Sequence, residues 1–138
     1  MERGVSCGWL DLGNIEHFGD VLLGDHKRVD PQGVEGAVIT ASCVDYSTMG
    51  GGAGLEGLSG WQIVDAPRVL LHFRELLVTL VENVFGWVTA NEGQSFAFYK
   101  TAMQRLRHTV WELQRLSSRH LGMAIQSERA FVFSNRQV

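Results

Sequence analysis

Residues 8–29 read GWLDLGNIEHFGDVLLGDHKRV and contain two histidines, His17 and His26, separated by short apolar runs and a Gly-Asp pair. Apolar runs interrupted by Gly-Asp are typical of two strands joined by a tight turn. We therefore predict that His17 and His26 lie on adjacent strands and face one site. Imidazole is the usual general base near neutral pH, so the pair is a candidate for catalysis if a nucleophile joins it.

The size and composition of the chain indicate an ordinary globular protein. It has 138 residues, of which 45% are hydrophobic and 20% charged, and we predict a single domain over residues 1–138. The net charge of -3 gives no overall basic field that would attract nucleic acid. Two cysteines, Cys7 and Cys43, are too few for a disulfide framework, and we expect both as reduced thiols. Since no long apolar run opens the sequence, we expect no signal peptide.

The most apolar stretch, Val69–Ala90, is interrupted by charged residues and by His72 and Asn83. A charged side chain at the centre of a bilayer costs about 2.5–3.5 kcal/mol on insertion scales. The stretch therefore favours a buried amphipathic helix, and we predict no membrane span.

The first half of the sequence predicts strands. Asn14–Leu23 alternates loosely, and Val34–Tyr46 is rich in Val, Ile, Thr and Ala. Between them, Asp30–Gly33 has the proline and glycine of a turn. A glycine-rich loop at about residues 47–62 follows, which we interpret as a connector.

The second half predicts helices. One begins near Asp65, with apolar residues at helical spacing as far as Val84. A second runs over Ser95–His120, and Ala130–Phe133 is a candidate last strand. The predicted fold class is α+β, with a small antiparallel sheet packed against two helices.

The candidate catalytic residues are His17, His26 and Cys43. Cysteine attack requires a thiolate, which a nearby imidazole generates at neutral pH. The alternative interpretation of Cys43 is a small apolar residue buried in a strand. A metal site of His17, Asp25 and His26 matches no strong zinc pattern, so we predict neither a metal nor a cofactor.

The stretch Glu16–Gly19, with Gly24-Asp25 and His26 after it, resembles the H-box of the H-box/NC proteins, the lecithin:retinol acyltransferase-like branch of the papain-like NlpC superfamily. In that family a second box supplies a nucleophilic cysteine at a helix start, within Asn-Cys-Glu-His-Phe. Here Asn91 and Phe96 resemble parts of that box, but Glu92 or Gly93 stands where the cysteine is expected. The resemblance implies an NlpC-like fold with a degenerate site.

The resemblance further implies a viral protein of the picornavirus 2A type, as in kobuviruses and parechoviruses. We expect a non-proteolytic accessory protein of the host cytoplasm, acting in viral RNA replication through host or viral protein partners. One alternative is a thiol acyltransferase or phospholipase-like enzyme that uses Cys43 and His17. Another is a plain interaction module. One face of the second predicted helix bears His108, Glu112, Arg115 and Arg119, and it is either a solvated face or a contact for RNA or an acidic partner. The candidate RNA contacts are the arginines of this helix: Arg105, Arg107, Arg115 and Arg119.

Overall fold

The computed structural model describes residues 24–122 and 127–137. The chain divides into two compact units, Met1–Asp30 and Pro31–Val138. In the first unit Asp25–Arg28 forms a 3₁₀ helix, so the prediction that His26 lies on a strand is wrong. Gly24 takes a left-handed backbone (φ 86°) and its carbonyl accepts from Lys27 N at 3.1 Å, which opens a helical turn. His17 and the predicted strand Asn14–Leu23 lie outside the described residues.

Four strands of the second unit form one sheet: β1 (Gly36–Thr40), β2 (Val78–Val84), β3 (His108–Ser117) and β4 (Glu128–Arg136). Their order across the sheet is β1-β2-β4-β3. β1 and β2 run parallel, whereas β4 is antiparallel to both of its neighbours. The sheet is therefore mixed, because the connection from β1 to β2 is a crossover and not a hairpin.

Three helices accompany the sheet: α1 (Trp61–Leu70), α2 (Gly86–Thr89) and α3 (Gln94–Arg105). α1 lies in the crossover from β1 to β2 and packs on α3, which in turn packs on β3. The predicted α+β class, a small sheet with two main helices, is confirmed. The sheet is mixed and not antiparallel throughout as predicted, because a crossover joins β1 to the parallel β2. The predicted last strand is also confirmed, within the longer β4.

The first predicted helix ends at Leu70, and its continuation toward Val84 is strand β2. Burial in β2 alternates residue by residue, as expected for a strand with one face in the core. Val78, Val81 and Val84 are β-branched residues that favour strands, although their spacing also fits one helical face.

The second predicted helix ends at Arg105, and its remainder is strand β3. Arg107 adopts a positive φ of 63°, which a right-handed helix cannot contain. Gln137 N then donates to the Arg107 carbonyl at 2.8 Å, so the end of β4 holds the turn that starts β3. Pairing with β4, which periodicity does not reveal, decided this element.

Aromatic residues form the centre of the core. Trp87 and Tyr99 are fully buried, and the Trp87 ring meets the rings of Phe96 and Tyr99 edge to face at centroid distances of 5.1 and 5.3 Å. The aliphatic residues around them come from α1, β2 and β4 and include Ile63, Val81 and Val132. The core thus joins the sheet to α1, α2 and α3.

A chain of polar side chains is buried beside this core. Thr79 and Ser134 hydroxyls lie 2.6 Å apart, and Ser134 Oγ is 3.1 Å from His108 Nδ1. Burial lowers the pKa of His108, against the opposing effect of a hydrogen bond to the Leu76 backbone. The fold therefore favours the neutral imidazole.

We expect the free energy of unfolding to decrease as the pH falls through the region below 6.5, the ordinary pKa of histidine. The unfolded chain takes up the His108 proton at a higher pH than the folded chain, so acidification favours unfolding until both forms are protonated. Urea denaturation between pH 7.5 and 5.5 measures this slope. His108→Gln should make it shallower, and an unchanged slope would contradict the assignment.

The segment between β1 and α1 is more ordered than the predicted glycine-rich loop. It contains 3₁₀ turns at Val44–Tyr46, Thr48–Gly50 and Gly54–Glu56. A Cβ on Gly60 would lie 1.8 Å from the Gly54 carbonyl oxygen, so the chain approaches itself too closely there for any side chain. Several of the glycines are thus required by packing and not by flexibility.

Gly60→Ala is expected to destabilise the protein by about 1–3 kcal/mol, since the methyl group must displace backbone atoms of Gly54. Gly36→Ala is the matched control: it adds a methyl group in ordinary contact with Val78 at 3.5 Å. Chemical denaturation should show a clear decrease in the free energy of unfolding for Gly60→Ala alone. Equal midpoints for the two variants would contradict the close approach.

Candidate functional site

Cys43 follows the carboxyl end of β1, immediately before the 3₁₀ turn Val44–Tyr46. Its side chain is partly exposed and forms no disulfide. In sheets with parallel strands, ligands bind outside the carboxyl ends of those strands. Cys43 therefore lies where a thiol can meet a bound molecule.

Hydrogen bonds anchor the backbone that follows Cys43 in the chain. Asp45 accepts from Ser59 N at 2.6 Å and also from the Ser59 hydroxyl, and the Tyr46 hydroxyl donates to the Gly60 carbonyl at 2.6 Å. The bonds from Ser59 hold the pKa of Asp45 below its usual value. Asp45 therefore stays ionised and acts as an anchor between this turn and the start of α1.

Asn83 anchors the backbone that precedes Cys43 in the chain. This side chain, 1% exposed, donates from Nδ2 to the Ala41 carbonyl at 3.1 Å and accepts from Val84 N at 2.9 Å. It thus ties the residues that follow β1 to the end of β2. Thr40 is paired with Glu82 in the parallel register, so Glu82 also lies near this edge of the sheet.

A cleft of about 540 Å³ opens at this edge. Cys43 lines one wall together with residues of the turn that follows it, and the end of β2 and the start of β4 line the other. The lining residues are Cys43, Tyr46, Ser47, Met49, Val84, Phe85, Gly86, Ser127, Glu128 and Arg129. Its volume lies in the range of small-molecule and cofactor sites.

Two ion pairs border the cleft. Arg129 Nη1 lies 3.3 Å from Glu82 Oε1, and Arg115 pairs with Glu128. The Arg115 guanidinium also lies over the Phe85 ring, 4.5 Å from its centroid. The cleft therefore combines one thiol, an apolar lining and charged groups at its rim.

Of the predicted site residues, the structure places Cys43 beside this cleft. His26 belongs to the unit Met1–Asp30 and His17 lies outside the described residues, so a site formed by all three remains a prediction. Sequence reasoning missed Glu82, Asn83 and Arg129. The Glu82-Asn83 pair was a usable signal, because two polar residues interrupt an otherwise apolar run there.

The four arginines predicted as RNA contacts do not lie on one helix. Arg105 ends α3 and Arg107 lies in the turn after it, whereas Arg115 is in β3 and Arg119 is in the 3₁₀ turn Ser118–Leu121. All four belong to the helix predicted over Ser95–His120, and that helix ends at Arg105. Only Arg115 borders the cleft, through its pair with Glu128.

The described residues also bear on metal binding and on membranes. Residues 24–122 and 127–137 hold no group of three or more His, Cys, Asp or Glu side chains arranged to bind a metal ion. Within the same ranges, no helix has both the length and the apolar character that crossing a bilayer requires.

Comparison with known proteins shows similarity at the level of structure. No family model and no curated protein matches the sequence. The Entamoeba histolytica methyltransferase EhMeth superposes with a TM-score of 0.56 at 12% identity, over 75% of this chain and 32% of that one. The S. pombe Dnmt2 methyltransferase superposes with a TM-score of 0.53 at 13% identity, over 82% and 34%. The chain thus spans about a third of the length of these two proteins.

These similarities correct the expected resemblance. The fold is similar to that of methyltransferases and not to the NlpC-like fold of H-box/NC and picornavirus 2A proteins. The predictions of a viral accessory protein in RNA replication and of an acyltransferase or phospholipase-like enzyme are therefore wrong. Their physical basis also fails, because Gly24–His26, taken as part of an H-box hairpin, forms a helical turn.

Proposed function

We propose that this chain is the substrate-binding part of a methyltransferase and that Cys43 is its nucleophile. The observation that carries the proposal is the position of the Cys43 thiol. It lines a cleft at the carboxyl ends of two parallel strands, in a fold similar to that of methyltransferases. Ligands of open sheets with parallel strands bind at this position.

A thiol in this position favours methylation of carbon. Nitrogen and oxygen acceptors carry lone pairs and need only a base, but the ring carbons of a pyrimidine are poor nucleophiles. When a thiolate adds to C6, its lone pair forms the S–C6 bond, and the π electrons of the C5–C6 double bond shift into the ring and make C5 nucleophilic. C5 then takes up an electrophile, which is a methyl group or, in its absence, a proton from water. Loss of the original C5 proton to a base and expulsion of the thiolate from C6 afterwards restore the double bond and the free cysteine.

The cleft suits a single base taken from a nucleic acid. Its volume of about 540 Å³ is ample for a pyrimidine ring, and Phe85 and Val84 provide apolar lining. Enzymes that modify a base inside a duplex extrude it into such a pocket, where it stacks on apolar side chains. We therefore propose a pyrimidine of DNA or RNA as the substrate.

Arg129 is placed to stabilise the adduct. It lines the same cleft as Cys43, and Glu82 holds its guanidinium at 3.3 Å. Addition of the thiolate spreads negative charge onto the ring, and a fixed cation beside a partly enclosed site stabilises developing charge. Arg129 is accordingly the proposed electrostatic partner of Cys43.

The described residues do not fit the methyl donor, S-adenosylmethionine, which supplies an electrophilic methyl group. The carboxylates nearest the cleft are already bonded: Asp45 to Ser59, Glu82 to Arg129 and Glu128 to Arg115. Within the described residues, no unpaired carboxylate therefore lies at the cleft to receive the ribose hydroxyls of a nucleoside. We therefore propose that residues outside this set hold the donor.

The test uses a step that needs no donor. Oligonucleotides tritiated at C5 of cytosine, or at C5 of uracil, are incubated with the protein without S-adenosylmethionine. Addition of Cys43 lets C5 exchange with water, so tritium should be released in proportion to protein. Release equal to that of a protein-free sample for both bases would overturn the proposal.

A further inference from the structure

A second cavity lies at the opposite end of the sheet from Cys43. It has a volume of about 400 Å³. Its residues come from the end of α1 and the turn after it, from the start of β3 and from the end of β4. They are Leu70, Leu71, Phe73, Arg74, Leu76, Leu106, His108 and Arg136. The cleft beside Cys43 shares none of these residues.

The cavity is apolar with positive charge at its wall. Five of its eight lining residues are leucine or phenylalanine, and two of the others, Arg74 and Arg136, are arginines. Among residues 31–122 and 127–137, no carboxylate forms an ion pair with either arginine. The cavity thus presents two cations that the described part of the fold does not neutralise.

Arg136 is held in place before any ligand arrives. Its Nη1 donates to the Arg74 carbonyl, which leaves its other N–H groups for a ligand. Its charge is close enough to His108 to help lower the pKa of that histidine. A guanidinium fixed in this way loses little side-chain entropy when it binds a carboxylate through two parallel hydrogen bonds.

We propose that this cavity binds a small amphipathic carboxylate, with its apolar body among the leucines and its carboxylate on Arg136 and Arg74. Charge complementarity selects an anion, and the apolar lining selects an aromatic or branched aliphatic body. Leu71, 59% exposed, leaves apolar surface in water that such a body would cover. This site is independent of the proposed methyl transfer.

The experiment is a titration of the folded protein with 3-phenylpropionate, followed by calorimetry or by NMR. The matched control ligand is 3-phenylpropanamide, which has the same apolar body without the charge. We expect the carboxylate to bind at least about tenfold more tightly than the amide, since hydrogen bonds to charged groups are the stronger ones. Equal affinity overturns the proposal, as does no binding up to about 10 mM.

Two variants locate the site without touching the core. Arg74→Gln removes one cation from an exposed side chain, and Leu71→Asp places a negative charge on the apolar wall. Each should weaken 3-phenylpropionate binding by about tenfold or more. Arg119→Gln makes the same change of charge near the other end of β3 and should leave binding unchanged.

Each result separates the alternatives. Weaker binding of 3-phenylpropionate to Arg74→Gln and Leu71→Asp, but not to Arg119→Gln, supports the proposed site in the cavity. An equal loss in Arg74→Gln and Arg119→Gln indicates a general charge effect and overturns it. Circular dichroism of each variant confirms the fold, and tritium release from C5 should be unaffected throughout, so the two proposals fail separately.

Discussion

Cys43→Ser is expected to reduce tritium release from C5 of a pyrimidine by roughly a thousandfold or more, because it removes the proposed nucleophile itself. A serine hydroxyl is nearly the same size, but it is scarcely ionised at neutral pH and adds to a ring carbon far more slowly. The Cys43 side chain is only partly buried, and its sulfur is not in a disulfide. The protein should therefore remain folded while the exchange stops.

The matched control is Cys7→Ser, which changes the other cysteine of the sequence. Exchange by Cys7→Ser should equal that of the unmodified protein, and both variants should unfold at nearly the same denaturant concentration. If Cys43→Ser retained the activity and Cys7→Ser lost it, the assignment of the nucleophile would be wrong.

Phe96→Ala is expected to reduce the free energy of unfolding by about 3–5 kcal/mol. Phe96 is 6% exposed, packs edge to face on Trp87 with centroids 5.1 Å apart and lies beneath Lys100, whose Nζ is 4.8 Å from its centroid. Truncation to alanine leaves a cavity between α2 and α3. The total free energy of unfolding of a native protein is only about 5–15 kcal/mol, so the shift in the denaturation midpoint should be large.

Phe98→Ala provides the comparison for this change. Phe98 lies in the same helix two residues later, but it is 53% exposed. The identical change of side chain at Phe98 should therefore reduce the free energy of unfolding by less than about 1 kcal/mol. Urea denaturation of the two variants measures the difference, and comparable losses would place Phe96 outside the core.

Helix α3 and strand β1 show which features of the fold could be predicted from the sequence alone. The apolar spacing after Ser95 predicts a helix with Phe96 and Tyr99 on its inner face, and α3 begins at Gln94 with both residues buried. The β-branched run Val34–Tyr46 predicts a strand, of which Gly36–Thr40 forms β1 and Val44–Tyr46 forms a 3₁₀ turn, so Cys43 lies just after the strand. These are local features, because each depends on neighbours within one or two turns of the chain.

The predicted helices were too long for a physical reason. Val78–Val84 and His108–Ser117 carry apolar residues whose spacing fits a helical stripe as well as one face of a strand. What makes them strands is pairing with β4, which lies more than forty residues after β2. The resemblance to the H-box/NC proteins failed similarly, since Gly24-Asp25 fits either a hairpin or the helical turn that it forms.

By itself the sequence determined the α+β class, the inner face of α3, the final strand and a thiol after the first strand. Each of these follows from hydrophobic spacing or backbone preference over short distances. Tertiary structure alone decided that β1 and β2 run parallel, and it alone placed Cys43, Val84 and Arg129 around one cleft. Their meeting depends on the crossover through α1 and on the insertion of β4 beside β2, contacts between distant residues that local preference does not encode.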